Sequence, residues 1–161
     1  MEEKKKPRVT DPALALAKAE AWCAYQERCQ QEVRDKLYAW GLYPDAVENI
    51  IAELISRGFL NEERFAVAFC GGKFRIKKWG RVKLRVELKR KRVSDYCIRK
   101  GLAAIEEDDY LKTLRKLAGE KMKATKEAHP LKKKFKVMQY LVSRGYETDL
   151  VRETVEELGG E

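Results

Sequence analysis

The sequence predicts an all-α fold made of three tandem three-helix repeats. Three observations predict it: the chain repeats itself, helix start and stop residues recur at matching places, and no strand finds a partner. The repeated stretches are "VRDKLYAWGLYPDAVENIIAEL" from Val33, "LRVELKRKRVSDYCIRKGLAAI" from Leu84 and "VMQYLVSRGYETDLVRETVEEL" from Val137, offset by 51 and then 53 residues. Five apolar columns stay in register. Val33, Leu84 and Val137 open them, then come Leu37, Leu88 and Leu141, then Leu42, Val93 and Tyr146. Val47, Ile98 and Val151 follow, and Leu54, Ile105 and Leu158 close the series. A period of this length implies units that stack and share a core.

The elements follow in order. Asp11 caps a first helix, with Pro12 at its first position, and an Ala/Leu-rich run continues to about Gln26. A second helix runs from about Gln30 to Trp40, and Gly41 supplies its stop. Pro44 opens a third that ends at Gly58. In the second unit Asn61 caps, with Glu62 and Glu63 in the first turn, where the helix dipole favours acids. The pair Trp79-Gly80 marks a helix junction, and Ser94 caps the next helix. In the third unit Asp108 and Pro130 mark starts and Gly145 a stop; "SRGF" (56–59) and "SRGY" (143–146) are one helix-ending device used twice. The units are expected over residues 11–58, 59–106 and 107–161, after a disordered tail over 1–10.

The alternation of Val82 to Leu88 is a strand signature. The aligned stretches carry apolar residues four apart and no partner strand exists, so this segment is read as a helix. Leu84 and Leu88 then form one ridge, and Val82 and Val86 a second, roughly opposite. That second ridge either packs between units or belongs to a docking face.

Composition places the chain among globular proteins: 161 residues, 44% hydrophobic, with a charged share of 38% that is well above the usual quarter. No apolar run is long enough to cross a bilayer, and the N-terminus lacks a secretory apolar stretch. The chain is expected to stay in the cytosol. Cys23, Cys29, Cys70 and Cys97 form no Cys-x-x-Cys pair and read as buried small hydrophobes.

Charge is unevenly placed. Residues 73–92, "KFRIKKWGRVKLRVELKRKR", hold eleven Lys or Arg against Glu87 alone, a net of +10 where the whole chain has +9. A second basic run, residues 121–136, carries seven Lys against one Glu. Acids gather at 106–109 and from Glu147 to the end. So many cations in one stretch repel one another and call for an anionic counter-surface, either phosphate or acidic protein. Arg suits bidentate contact with either, and Phe74 and Trp79 could stack on bases or pack inward.

Catalytic patterns do not appear. His129 is the lone histidine. Gly71-Gly72-Lys73 lacks the spacing and the Ser/Thr of a phosphate loop; these glycines are expected to admit a neighbouring backbone. The acids at 106–109 have no Gly-centred calcium loop around them and read as a helix start. No zinc spacing is present, so neither a metal, a cofactor nor an enzymatic reaction is expected.

The stretches "GFLNEERFAVAF" (58–69) and "KFRIKKWGRVKLRVELKRKRVS" (73–94) resemble the RecX regulatory family. Its hallmark is a Leu-Asp-Asp/Glu-x-Arg-Phe-Ala segment, then a basic stretch, a Gly and a Glu-Leu pair. Leu60, Glu62, Arg64, Phe65, Ala66, Gly80, Glu87 and Leu88 match it. Asn61 stands for the usual first Asp, and Arg92 for the usual Gly. The resemblance covers roughly residues 11 to 158. It implies an elongated, curved array of modules that binds the RecA recombinase filament on single-stranded DNA. It further implies lowered ATP hydrolysis and strand exchange, with no catalysis of the chain's own. The docking strip is expected from Lys73, Arg75, Lys77, Lys78, Trp79, Arg81, Arg85, Lys89 and Arg92, supported by Lys132, Lys133 and Lys134, on a monomer. Reversing Arg81, Arg85 and Lys89 to Glu is expected to weaken inhibition without unfolding. The rival expectation is a helical nucleic-acid-binding protein that acts without a recombinase.

Overall fold

The computed structural model describes residues 10–159, and they form nine helices and no strand. The tail expected over residues 1–10 lies, Thr10 apart, outside the described residues. Unit 1 holds α1 (Pro12–Tyr25), α2 (Gln30–Ala39) and α3 (Pro44–Ser56). Unit 2 holds α4 (Glu62–Lys77), α5 (Arg81–Arg90) and α6 (Asp95–Ala103). Unit 3 holds α7 (Glu107–Ala124), α8 (Pro130–Ser143) and α9 (Thr148–Gly159). Extensive helix packing stays within units: α1 and α2 pack on α3, α4 and α5 on α6, and α7, α8 and α9 on one another.

Local sequence explains the starts. The Asp11 side chain accepts from the Ala13 N–H at 3.0 Å, Asn61 from Arg64 at 2.9 Å and Ser94 from Cys97 at 3.2 Å. Asn61 thus caps as well as an Asp would. Pro44 and Pro130 occupy first-turn positions, where a missing N–H costs nothing. The acidic run starts α7 at Glu107, one residue earlier than expected, with Glu106 as N-cap, so that Asp108 falls inside the first turn. The alternating stretch around Val82 is helical, within α5.

The second helix of every unit ends in the same way. The N–H of Leu42 reaches back to Leu37 O at 3.3 Å, that of Val93 to Leu88 O at 3.1 Å, and that of Tyr146 to Leu141 O at 3.2 Å. This reversal needs a left-handed residue, supplied by Gly41 at φ 95°, Arg92 at φ 58° and Gly145 at φ 99°. Arg92 therefore holds a conformation that a Cβ disfavours by about 1 kcal/mol. Arg92→Gly is expected to stabilise the chain by up to that amount, read as a raised urea midpoint with an unchanged slope.

Two cores result. One belongs to unit 1 and gathers Ala15, Ala19, Val33, Leu37, Val47, Ile51 and Leu54. The other runs through units 2 and 3 and includes Phe74, Leu84, Leu88, Ile98, Tyr110, Leu114, Val137, Leu141 and Tyr146, with Cys29 of unit 1 joined to it. Four of the five repeat columns are buried in all three units; the fifth departs at Leu158, which is 38% exposed at the end of α9. Val155, one turn earlier, is the residue that reaches the core there.

The thiols are unpaired, with Cys23, Cys29 and Cys70 buried and Cys97 half-buried. Burial pushes the Cys29 and Cys70 thiols up to about 12. Only a thiolate reacts readily. A thiol reagent at neutral pH is therefore expected to modify Cys97 first and the other three only on unfolding, as mapped by mass spectrometry of a time course.

The junctions between units differ in strength. Between units 1 and 2, the Gln30 N–H donates to the Glu62 carboxylate at 2.9 Å, Arg64 pairs with Glu27 at 2.5 Å, and Lys91 faces Glu32 at 3.7 Å. Burial raises the Glu62 carboxyl above its ordinary value, partly opposed by the Gln30 N–H. Between units 2 and 3 the backbones themselves join. The N–H of Gly80 donates to Arg144 O and that of Val82 to Gly145 O, both at 2.9 Å. A Cβ at Gly80 would overlap the Gly145 carbonyl. Close approach is thus served by Gly80, and by Gly101, where a Cβ would lie 2.7 Å from Ala66 O. Gly71 and Gly72 do not serve it: a Cβ at Gly72 would meet nothing, and one at Gly71 only the movable Arg75 side chain. They lie inside α4 and no other backbone nears them.

Candidate functional site

The basic stretch turns a corner. It descends the last turns of α4, passes through Lys78 in a left-handed conformation at φ 58°, and returns along α5. Arg75 and Lys77 fall in the last turn of α4, where the dipole favours cations. Trp79 is half-buried against the shared core. Two ammonium groups flank its indole, Lys83 at 4.7 Å and Lys73 at 5.3 Å from the ring centre. The ring thereby holds two like charges near one surface by cation–π attraction.

On α5, Leu84 and Leu88 face the core and Glu87 pairs with Arg90 at 3.1 Å. Val82 and Val86 point outward, 49% and 43% exposed. The unit 2–unit 3 contact is made at the N-terminal end of α5 by Gly80, Arg81 and the backbone N–H of Val82, while the side chains of Val82 and Val86 stay exposed. Lys89 and Arg92 are exposed, and Arg85 is half-buried. Arg85 lines a cleft of about 450 Å³ together with Arg99, Leu102, Ala103, Ile105 and Glu106. Arg99 was not singled out by the sequence, since nothing local relates it to a residue on the preceding helix.

Arg81 is placed differently from its neighbours. One guanidinium nitrogen pairs with Glu147 at 2.9 Å and another with Glu107, while the group lies 3.8 Å from the Tyr110 ring centre. The Arg81 N–H donates to the Tyr110 hydroxyl at 3.0 Å, and that hydroxyl donates to Glu147. Burial, reinforced by the Glu147 bond, raises the Tyr110 hydroxyl far above its ordinary value. Arg144 donates to Lys77 O, and the Tyr146 hydroxyl to Lys78 O at 2.8 Å. A cation at the start of α5 opposes the helix dipole; the two carboxylates offset it. Arg81 thus ties unit 2 to unit 3, and its side chain is only 24% exposed.

Lys132, Lys133 and Lys134 sit in the first turns of α8. Lys133 precedes Arg144 by eleven residues, roughly 16 Å along the helix. These lysines form a separate patch, and Lys134 folds over Gly159 at the end of α9. Lys73, Arg75, Lys77, Lys78, Arg85, Lys89 and Arg92 make no ion pair among the described residues. No group of metal-ligating side chains is found among the described residues, and no described helix is long and apolar enough to cross a membrane.

Comparison with known proteins follows the unit boundaries. The family description "RecX, first three-helix domain" matches residues 15–54, the second three-helix domain residues 61–102, and the third residues 107–155. Similar curated proteins are both named Regulatory protein RecX. One, from Prosthecochloris aestuarii, is 30% identical over 92% of this chain and 96% of its own. The other, from Chlorobaculum tepidum, is 29% identical over 100% of this chain and 94% of its own. The crystal structure of RecX from Lactobacillus salivarius shares the fold, with a TM-score of 0.85 at 21% identity over 93% of this chain and 97% of that one. Three matched domains in tandem order, over most of the chain, place it in the RecX regulatory protein family.

Proposed function

We propose that this chain is a non-enzymatic cytoplasmic regulator that binds the RecA recombinase filament on single-stranded DNA, as a monomer. It lowers the ATP hydrolysis and strand exchange of that filament. The observation that carries the reading is that seven cations on and beside α4 and α5 lack acidic partners among the described residues, while Arg81, Arg90 and Lys91 are paired. Lys73, Arg75, Lys77, Lys78, Arg85, Lys89 and Arg92 form the strip, with Trp79 at its corner. Arg81 stiffens the scaffold beneath, and Lys132, Lys133 and Lys134 add a second basic contact. A strip carried by unit 2, whose core is shared with unit 3, keeps its shape, so little is lost in ordering it on a partner. Phosphate contacts within the interface would make binding fall with salt, at a log–log slope of about −0.7 per phosphate on single strands.

The test is RecA-catalysed ATP hydrolysis on single-stranded DNA, titrating this chain well below one copy per recombinase. Strong inhibition at such ratios is expected. Inhibition only once the chain saturates the DNA would replace this reading with that of a nucleic-acid-binding protein acting without a recombinase.

A further inference from the structure

Helix α8 carries two apolar faces, one buried in the core and one largely exposed, of which only Met138 packs against the core. Val137 and Leu141 are fully buried in the shared core. A second row, Leu131, Phe135, Met138 and Val142, recurs at helical spacing on another side. Leu131 is 70% exposed, Phe135 61% and Val142 42%, with Met138 half-buried between them. Scattered exposed apolar residues are ordinary, but an aligned row over three turns is a surface patch. Lys132 and Lys136 follow Leu131 and Phe135 directly on one flank, and Lys134 lies on the other.

We propose that this row is a docking site for an acidic amphipathic helix of a protein partner. The row has the spacing of a ridge that fits the groove of a second helix. Lys132 and Lys134 flank the row without an ion pair among the described residues, while Lys136 pairs with Glu127 at 2.9 Å, so the complementary flanks are carboxylates. A nucleic-acid backbone would use the lysines and gain nothing from the four apolar side chains. A membrane surface requires a broad apolar face, whereas this ridge is one residue wide and the other apolar face of α8 is in the core. The site stands apart from the α4–α5 strip, although its flanking Lys132 and Lys134 belong to the second basic contact named above; its apolar row is not used in that reading.

The probe is a synthetic helix of about 20 residues with Leu at matching spacing and Glu on both flanks, together with a twin carrying Gln for Glu. Each is titrated into the full chain and followed by peptide anisotropy and by backbone amide shifts. Saturable binding of the Glu peptide is expected, with shifts centred on residues 131–142. Leu131→Ser combined with Phe135→Ser should weaken it about ten-fold or more, and the Gln twin should bind several-fold more weakly. Both substituted side chains are exposed, so the melting temperature should hold. If it does not, Lys132→Glu supplies the same test through charge. Lack of saturable binding, equal binding to the substituted chain, or shifts on α4 and α5 would each overturn the proposal. It is also overturned if the substitutions abolish binding to anionic vesicles, to single-stranded DNA or to a second copy of this chain, while leaving the Glu peptide unaffected.

Discussion

Gly80→Ala is expected to lower stability by about 3 kcal/mol or more. The added Cβ would overlap the Gly145 carbonyl, which is backbone and cannot swing away. Relief requires unit 3 to retreat, and that breaks the bonds from Gly80 to Arg144 O and from Val82 to Gly145 O. Overpacking of this kind costs about 1–3 kcal/mol, and each lost backbone bond about 1 more. Because units 2 and 3 share one core, the loss should appear as one displaced urea transition involving both. Gly72→Ala is the control. That position is helical and open, so the change should stabilise by up to about 1 kcal/mol. Equal effects at the two glycines would contradict the junction described here.

Charge reversal on α5 is expected to separate structure from binding. Arg81→Glu sets a third carboxylate against Glu107 and Glu147 and removes the cation from the Tyr110 ring. The pair is partly exposed, so the loss is about 2–3 kcal/mol rather than the larger figure for a fully buried pair. Arg75→Glu, Arg85→Glu and Lys89→Glu together meet no such partner among the described residues, and stability should change little. The concentration needed to inhibit RecA should instead rise ten-fold or more. If the three contact phosphates, the salt slope should fall by about 2. A triple that includes Arg81, as the sequence suggests, would confound unfolding with loss of contact. If the triple at Arg75, Arg85 and Lys89 inhibits as well as the parent chain, the strip is not the interface.

The family motif is legible in the sequence, but its residues serve the scaffold. Glu62 accepts from Gln30, Arg64 reaches Glu27 and Gly58 O, Phe65 and Ala66 lie in the shared core, and Gly80 joins units 2 and 3. The motif therefore identifies how units are joined, while the partner strip consists of residues around it. Arg92 shows the two kinds of information in one residue. The aligned Gly41 and Gly145 identify it as a left-handed helix end, which the structure has, whereas its reach toward a partner is a matter of exposure.

By itself, the sequence determined the three repeats, eight of the nine helix starts to within a residue or two, the register of the buried columns and the family. These depend on caps, stop residues and apolar spacing, which act over a few residues and recur in each unit. The tertiary structure alone decided that Gly80 and not Gly71 or Gly72 receives a second backbone. It also decided that Val82 and Val86 face outward, and that Arg81 is taken by Glu107 and Glu147 while Arg85 and Lys89 have no ion pair among the described residues. Those outcomes rest on groups as far apart in the chain as Arg81 and Glu147, brought together only when unit 3 folds back onto the start of α5. Local spacing carries no record of such a meeting.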